Sequence, residues 1–588
     1  DFLSNMLNNT RNTSRSSSAG FSRDWRQTYT ATLNYNQTFG KHHVDALAGS
    51  EYLDVIDYGF DASGSGAPTD DYADLEYTTA EANKRFINSN HSEYRILSYF
   101  GRANYSYADK YLASAVFRYD GYSSLLGSNR WGFFPGISTG WVFTKEGWAK
   151  DKLPFLSFGK LRASFGINGN ASGIGAYTLQ GAYGSQGKYN GNVGFLISTL
   201  PNPALRWEKT ITREAGLDLG FLQNKLNVNL TYYNRLTSDK YADFSLTPTS
   251  GFSSIKNNNG EFRNQGIELE VSAKLLETKD WSWSAALNAG INKNTVVRLP
   301  DNGNKRNHQS ATLVYTGGSH KNDQGNIVYD TDYVGGYQEG QEPGDIVLYR
   351  YMGIYRSDDE VPGDLVVETG QLNNLKMYGP KAYAALTDEQ KKNALPIKAG
   401  DAIWKDINGD GKIDQYDREV IGKATPRVTG GFNTTLRYKN LQLYVRTDYA
   451  LGHWVVDNST AWIMGAAQGT YNTITLTEDS FTEQNKNAAY PRYLWGDLVG
   501  NYRRWSSLYA YRGDYLALRE LSLSYSLPQH WAKKLFCQNI TLSVTGQNLG
   551  YLSAATKTMT IPESSTGDGG YGQYPIPRKF ILGLNVTF

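Results

Sequence analysis

The chain has 588 residues, a formal net charge of +2 and one cysteine, Cys537. A near-neutral balance excludes the broad electrostatic footprint of a nucleic-acid binder, and a single cysteine excludes an internal disulfide and a Cys-based metal site. No run approaches 18 consecutive apolar residues, which excludes a transmembrane helix but not a closed barrel, since a barrel also satisfies every backbone group.

Tyr 43, Trp 13, Phe 23 and Gly 60 stand beside a mean hydropathy of −0.52. Barrel strands need apolar residues only at alternate positions, so a membrane barrel keeps such a low average. The start, Asp1-Phe2-Leu3-Ser4, has no secretory signal pattern. A barrel-forming chain with this start is expected to be processed or to be part of a longer protein.

Period-2 alternation dominates from there on. Tyr29, Ala31, Leu33 and Tyr35 alternate with Thr30, Thr32 and Asn34. Leu226, Val228, Leu230 and Tyr232 form the next clear run, and Trp281, Trp283, Ala285, Leu287, Ala289 and Ile291 another. Leu441, Leu443, Val445 and Tyr449 follow, and Phe580, Leu582, Leu584, Val586 and Phe588 end the chain. These runs are about 10 residues or longer, the length a tilted strand needs to cross a bilayer. The terminal aromatic resembles the signal read by barrel-assembly machinery.

Short turns alternate with long polar connections. The turns are Phe39-Gly40-Lys41, Asp109-Lys110, Gln223-Asn224-Lys225, Thr278-Lys279-Asp280 and Lys439-Asn440. The long connections fall near 59–92, 168–206, 299–424 and 453–510. Short periplasmic turns and long outer loops are the pattern of outer-membrane barrels. The predicted fold is all-β: a transmembrane antiparallel barrel portion spanning 1–588, of about 15 strands. Bacterial single-chain barrels have even counts, about 22 in plugged transporters. Strands upstream are therefore expected.

One chemical motif is sharp. Asp406-Ile407-Asn408-Gly409-Asp410-Gly411-Lys412-Ile413-Asp414-Gln415-Tyr416-Asp417 has the spacing of an EF-hand calcium loop. Asp406, Asn408 and Asp410 offer oxygens at positions 1, 3 and 5. Gly411 allows the turn at position 6. Lys412 offers its carbonyl, Asp414 sits at position 9 and Asp417 at position 12, where a Glu is usual. The expected ion is a structural Ca²⁺ that stiffens the loop 299–424; the alternative is an Asp/Asn/Gly-rich turn without an ion.

The loops also hold aromatics, whose flat apolar faces beside polar groups suit ligand sites. Tyr337, Trp462, Tyr471, Trp495 and Trp505 are the candidate cargo-binding residues, with Tyr183, Tyr189, Tyr333 and Tyr502 as further members. Packing of loop on loop is the competing role for each. No catalytic constellation is present: no nucleophile elbow frames a serine, and the seven histidines lack H-E-x-x-H spacing. His42-His43 would point to opposite faces of a strand. The chain is not expected to be an enzyme.

Several stretches together resemble one family. They are Arg130-Trp131-Gly132-Phe133-Phe134-Pro135, Lys160-Leu161-Arg162-Ala163-Ser164-Phe165-Gly166 with Asn168-Gly169-Asn170, and Asn202-Pro203-Ala204-Leu205-Arg206-Trp207-Glu208. Asn264-Gln265-Gly266-Ile267-Glu268-Leu269-Glu270 and the run from Asp514-Tyr515-Leu516 to Leu523-Ser524-Tyr525 continue the series. Gly546-Gln547-Asn548-Leu549 and Pro575-Ile576-Pro577-Arg578 complete it. In this order they resemble the SusC/RagA family of TonB-dependent outer-membrane transporters of Bacteroidetes-type bacteria.

The resemblance implies a barrel with an N-terminal plug, a TonB box coupling opening to the proton-motive force, and a SusD-like surface lipoprotein as lid. It implies import of a large nutrient across the outer membrane of a Gram-negative bacterium, with an oligosaccharide as the first reading and a peptide, as for RagA-type importers, as the alternative. A passive porin or barrel-embedded enzyme is the reading from another class. Transporter–lipoprotein pairs assembling as dimers are a further implication. No plug pattern and no TonB box appear in this chain.

Overall fold

A computed structural model describes residues 14–588 apart from 70–73, 80, 82, 191, 369–374, 466–472, 554, 556–562 and 564–575, and no side chain of 185–189. Fifteen strands follow one another in a single large sheet. They are β1 (Ser17–Phe39), β2 (His42–Gly64), β3 (Arg85–Tyr107), β4 (Tyr111–Tyr122), β5 (Trp131–Trp141), β6 (Leu156–Asn170), β7 (Glu208–Phe221) and β8 (Leu226–Ser245). β9 (Ser254–Glu277), β10 (Trp281–Arg298), β11 (Val428–Tyr438), β12 (Leu441–Leu451), β13 (Tyr515–Ser526), β14 (Asn539–Ser553) and β15 (Lys579–Thr587) complete the order. Each of the alternating runs read from the sequence lies within one of these strands, except that Phe588 falls one residue past β15.

The pairing is antiparallel and in register over long distances. β1 pairs with β2 from Ser17↔Gly64 to Phe39↔His42 without a break. That register brings Tyr29 opposite Tyr52 and Phe21 opposite Phe60, with ring centroids at 6.5 and 6.2 Å. The period of two then keeps Leu33, Tyr35 and Phe39 on that same face, all exposed. At the other end β14 and β15 set Leu542 against Leu584 and Val544 against Leu582, and Leu582 is 84% exposed. A soluble surface does not carry apolar rows of this extent. An apolar solvent around the sheet accounts for them.

The long connections differ from plain loops. Residues 59–64 and 85–91, expected in a loop, continue β2 and β3 as paired strand. Their sequence alternates poorly, and the ladder, not the apolar pattern, carries them. Residues 168–206 hold a hairpin of Ala182–Tyr189 with Asn192–Thr199. Residues 299–424 contain several small sheets and a core in which Tyr355, Val361, Met377, Ile397, Trp404 and Ile413 are buried, joined by Val499 from the 453–510 connection.

By internal contacts the chain forms two units. One comprises Asp1–Val142, Arg162–Arg213 and Arg235–Glu261. The other comprises Phe143–Leu161, Glu214–Asn234 and Phe262–Phe588. The first has an aromatic core of Tyr122, Phe134 and Trp207 with Leu125, Ile174 and Leu205. In the second, Gly266 of the Asn264-Gln265-Gly266 stretch has a mechanical role. A Cβ there would lie 2.1 Å from the Ile291 carbonyl and 2.6 Å from the Tyr233 hydroxyl. The Tyr233 side chain crosses β9 at this gap and donates to Asn292 Oδ1 at 2.9 Å.

Candidate functional site

In the first unit, the face of the sheet opposite the apolar rows is polar and internally paired. Arg118 donates to Glu51 at 2.9 Å, to Ser98 at 2.8 Å and to Asp120 at 2.7 and 3.0 Å. Asn104 donates to Asp45 at 2.9 Å, and Ser114 donates to Asn104 at 2.7 Å. Alternation places these groups: on β3, Ser98, Arg102 and Asn104 alternate with exposed Tyr99 and Tyr105. A cleft of about 530 Å³ opens beside them, lined by Phe100, Arg102, Arg118, Asp120, Phe134 and neighbouring backbone. It offers an aromatic floor with charges of both signs, which suits a polar or zwitterionic ligand. Apart from Phe134, which lies in one of the family-like stretches, none of these residues was singled out from sequence. Charged residues at alternate positions of apolar-striped strands are the signal that could have found them.

In the second unit the folded loops make one polar tie. Asp401, 0% exposed, accepts from Arg492 Nε at 2.7 Å and from its Nη2 at 3.0 Å. It also accepts from Asn501 Nδ2 at 3.0 Å and from the Lys398 amide at 2.8 Å. Segments about a hundred residues apart are thereby joined. Asp497 accepts from the amides of Tyr502 and Arg503 at 3.2 and 2.8 Å, and burial pushes its carboxyl up to about 6. The Arg504 guanidinium lies 5.0 Å from the Tyr349 ring centroid and 5.4 Å from that of Trp404, and donates to the Glu368 carbonyl at 2.8 Å. Burial lowers its pKa.

The calcium-type loop has the turn geometry its sequence demands. Gly409 and Gly411 have φ of 74° and 76°, in the left-handed region that glycine enters freely. The Asp406 carboxylate accepts from the Gly409 and Gly411 amides at 2.8 and 2.9 Å. Asp410 accepts from the Lys412 amide, and Asp414 from Tyr416, both at 2.8 Å. Asp417, fully buried, accepts from Ile407 and Asp414 amides at 2.8 Å each. Burial, with the charges of Asp406 and Asp414 beside it, pushes the Asp417 carboxyl up to about 6; burial also raises Asp414. Among the described residues no three His, Cys, Asp or Glu side chains are gathered as a metal cluster. The loop's carboxylates are instead turned onto its own amides. The donors are all oxygens and carry excess negative charge, a set that fits a hard dication. The loop is tied in by pairing of Lys412 and Ile413 with Val366 and Val367, and by Tyr416 against Tyr329 at 5.9 Å.

The candidate aromatics divide. Trp495 is 68% exposed, and Trp505, Trp462 and Tyr337 are exposed to a lesser degree. Trp505 is held by its carbonyl, which accepts from the Tyr349 amide at 3.1 Å, and Tyr337 lies edge-on to Phe262 at 6.1 Å. Tyr183 is exposed, while Tyr333 stacks on His308 at 3.8 Å. Tyr502 is not a ligand platform. It is 1% exposed, stacked on Tyr493 at 4.9 Å, with its hydroxyl donating to Ser480 at 3.0 Å. Tyr471 and the Tyr189 side chain lie outside the described residues. His42 and His43 diverge as expected, His42 bonding the Tyr105 hydroxyl at 2.8 Å and His43 the Thr38 hydroxyl at 3.0 Å.

Comparison with known proteins follows the same lines. A family model described as TonB dependent receptor-like, beta-barrel matches residues 1–549. The chain is 30% identical over 573 residues to TonB-dependent receptor P3 of Formosa agariphila, covering 95% of this chain and 52% of that protein. It is 25% identical over 585 residues to TonB-dependent receptor SusC of Bacteroides thetaiotaomicron, covering 95% of this chain and 50% of that one. The chain thus spans about half the length of the curated relatives it matches. The solved RagAB peptide transporter shares the fold at a TM-score of 0.71 and 22% identity, over 97% of this chain and 56% of that one.

Proposed function

Since the chain belongs to the TonB-dependent receptor β-barrel family, we propose that it forms the membrane-spanning part of an outer-membrane importer of SusC/RagA type. The observation that carries this is the two-faced sheet. One face is apolar and exposed for lipid; the other holds paired charges such as Arg118–Glu51–Asp120 for an aqueous or protein-filled interior.

The cargo is a large nutrient captured among the folded outer loops, an oligosaccharide in the first reading. Exposed Trp495 and Trp505 offer flat faces on which sugar rings stack. A peptide is the second reading, favoured by the charges of both signs around the Arg102–Arg118–Asp120 cleft. A SusD-like surface lipoprotein would hold cargo from outside. Coupling to TonB would run through a plug outside this chain. A Ca²⁺ held by Asp406, Asn408, Asp410, the Lys412 carbonyl, Asp414 and Asp417 would neutralise the loop's carboxylates and stiffen the module around Ile413.

The test is uptake of labelled oligosaccharides and peptides by cells carrying the whole transporter, with and without a protonophore. Saturable uptake that stops with the protonophore, and falls when Trp495 and Trp505 are changed to alanine, supports an energised glycan importer. Uptake indifferent to the protonophore would make the protein a porin.

A further inference from the structure

The short connections share a composition that import of cargo does not require. Each of the seven (40–41, 108–110, 142–155, 222–225, 278–280, 439–440 and 527–538) contains at least one lysine and no arginine. Lys41, Lys225, Lys279 and Lys439 stand exposed at the turn tips. None of these four is ion-paired among the described residues. The carboxylates in these connections are fewer: Asp109, Glu146, Asp151 and Asp280.

Hydrogen bonds from backbone amides tie these connections to the neighbouring turns and strand ends and define a rim in the second unit. Gln223 donates to Ser157 Oγ at 2.6 Å, Lys274 to the Lys225 carbonyl at 2.7 Å, and Lys439 to that of Asp280 at 2.7 Å. Ser526 donates to the Asn440 carbonyl at 2.9 Å, and Gln538 to that of Thr587 at 2.7 Å. Aromatics gather here: Trp281 packs on Tyr438 at 4.4 Å, and Phe155 stacks on Phe221 at 6.4 Å.

Two of the connections carry short helices, Gly147–Lys152 and Gln529–Lys534. Their sequences repeat one another. Trp148-Ala149-Lys150-Asp151-Lys152-Leu153-Pro154-Phe155 and Trp531-Ala532-Lys533-Lys534-Leu535-Phe536 share a W-A-K, K-L, F order with single-residue spacers. Their burial repeats too. The alanines are buried, while the tryptophans, lysines and phenylalanines are exposed. Phe536 is the extreme, 92% exposed at φ 60°, a left-handed conformation that a bulky residue avoids. At the second helix this surface adjoins the exposed rows: Ala532 and Cys537 pack with Ile540 and Val586, and the same strand faces continue as exposed Leu542 and Val544 with Leu584 on the paired strand.

We propose that this rim is a phospholipid collar. The two helices lie at the headgroup–acyl boundary of the periplasm-facing leaflet, with Trp148, Phe155, Trp531, Leu535 and Phe536 among acyl chains. The lysines of this rim, Lys225, Lys279 and Lys439 at the turns and Lys150, Lys152, Lys533 and Lys534 on the helices, sit on lipid phosphates. Two observations select this occupant. The apolar patch continues the lipid-facing rows, and lysine stems can lie along it while their ammonium groups reach the phosphate layer. The proposal rests on the membrane-barrel reading.

The experiment uses the whole transporter reconstituted in vesicles of phosphatidylethanolamine with one quarter phosphatidylglycerol. Fluorescence of the wild type minus that of Trp531→Phe isolates one indole. Lipid brominated near the top of its acyl chains should quench that difference, and aqueous iodide should not. A second arm compares phospholipid retained after detergent washing, by native mass spectrometry, between wild type and Lys150→Gln/Lys152→Gln/Lys533→Gln/Lys534→Gln. One lysine near an anionic surface is worth about five-fold in binding. Retained phosphatidylglycerol should therefore fall by roughly tenfold or more, with bound lipopolysaccharide unchanged.

Iodide quenching without bromolipid quenching, or unchanged phosphatidylglycerol, overturns the collar. Heat-modifiable migration on gels separates the two failures. A protein that inserts and shifts on heating but is not quenched refutes the collar alone. One that never inserts refutes the membrane barrel as well.

Discussion

Replacing Asp401 with alanine should unfasten the outer loops while leaving the large sheet intact. The wild-type carboxylate accepts four hydrogen bonds, two of them from one guanidinium, and is wholly buried. Truncation leaves the Arg492 charge largely buried without its partner and strands the Asn501 amide. Breaking a buried ion pair from one side costs about 3–5 kcal/mol. Each 1.4 kcal/mol is tenfold, so about 4 kcal/mol raises the open fraction of this module by roughly 10³. The amides that report it are Tyr355, bonded to the Asp401 carbonyl, Arg492, bonded to the Gly400 carbonyl, and Ala402, bonded to Asn501 Oδ1.

Hydrogen exchange on the detergent-solubilised protein should show these amides faster by two to three powers of ten, with β11 and β12 unchanged. Asp401→Ala combined with Arg492→Leu should recover a large part of the loss, because no buried charge is then stranded. Exchange of the three amides within about threefold of wild type would refute the reasoning and reduce the tie to a surface ion pair.

Three more outcomes follow from single sites. Chelation by EGTA should speed protease cleavage within 406–417, added Ca²⁺ should reverse it, and Asp410→Ala should abolish the Ca²⁺ response; cleavage indifferent to Ca²⁺ in the wild type would rule the ion out. The folded-state pKa of Asp497 is raised to about 6 from an unfolded value of 3.8, so the folded loop binds the proton more tightly between those values. Stability of the loop is thus greatest at low pH within this window and falls as pH rises through about 6, by about 3 kcal/mol in total; exchange corrected for intrinsic rates should show that slope, and Asp497→Asn should flatten it. Gly266→Val should block assembly, since the new side chain meets the Ile291 carbonyl and the Tyr233 hydroxyl; loss of the heat-modifiable gel form is the readout, and normal assembly would mean that Tyr233 can swing away.

The strands were legible because their solvent imposes period two on the side chains, from Tyr29 in β1 to Leu584 in β15. The short turns such as Gly40-Lys41 and Lys439-Asn440, and the turn geometry around Gly409 and Gly411, were legible because their spacing is local. The Asp401–Arg492–Asn501 tie was not, because its members lie 91 and 100 residues apart and nothing near them in sequence marks their meeting. Tyr502 was misread for a related reason. An aromatic in a polar connection looks like a ligand platform until the connection proves to have a core. The extension of β2 and β3 through 59–64 and 85–91 was hidden because backbone pairing, blind to side-chain polarity, carries it.

That extension has a mechanical consequence. A strand of 23 residues, as in β1, β2 and β3, is about 75 Å long, whereas a tilted crossing of the hydrocarbon layer uses only about 10 residues. The surplus stands as a three-stranded ribbon whose every rung is hydrogen-bonded to the next, so its tip cannot move without bending the whole ladder. Phe21, Phe60, Phe86 and Ile87 sit exposed along that surplus. The ribbon is thus a stiff post of fixed height: a load applied at Phe21, Phe60, Phe86 or Ile87 is passed down the whole ladder rather than absorbed by a local bend.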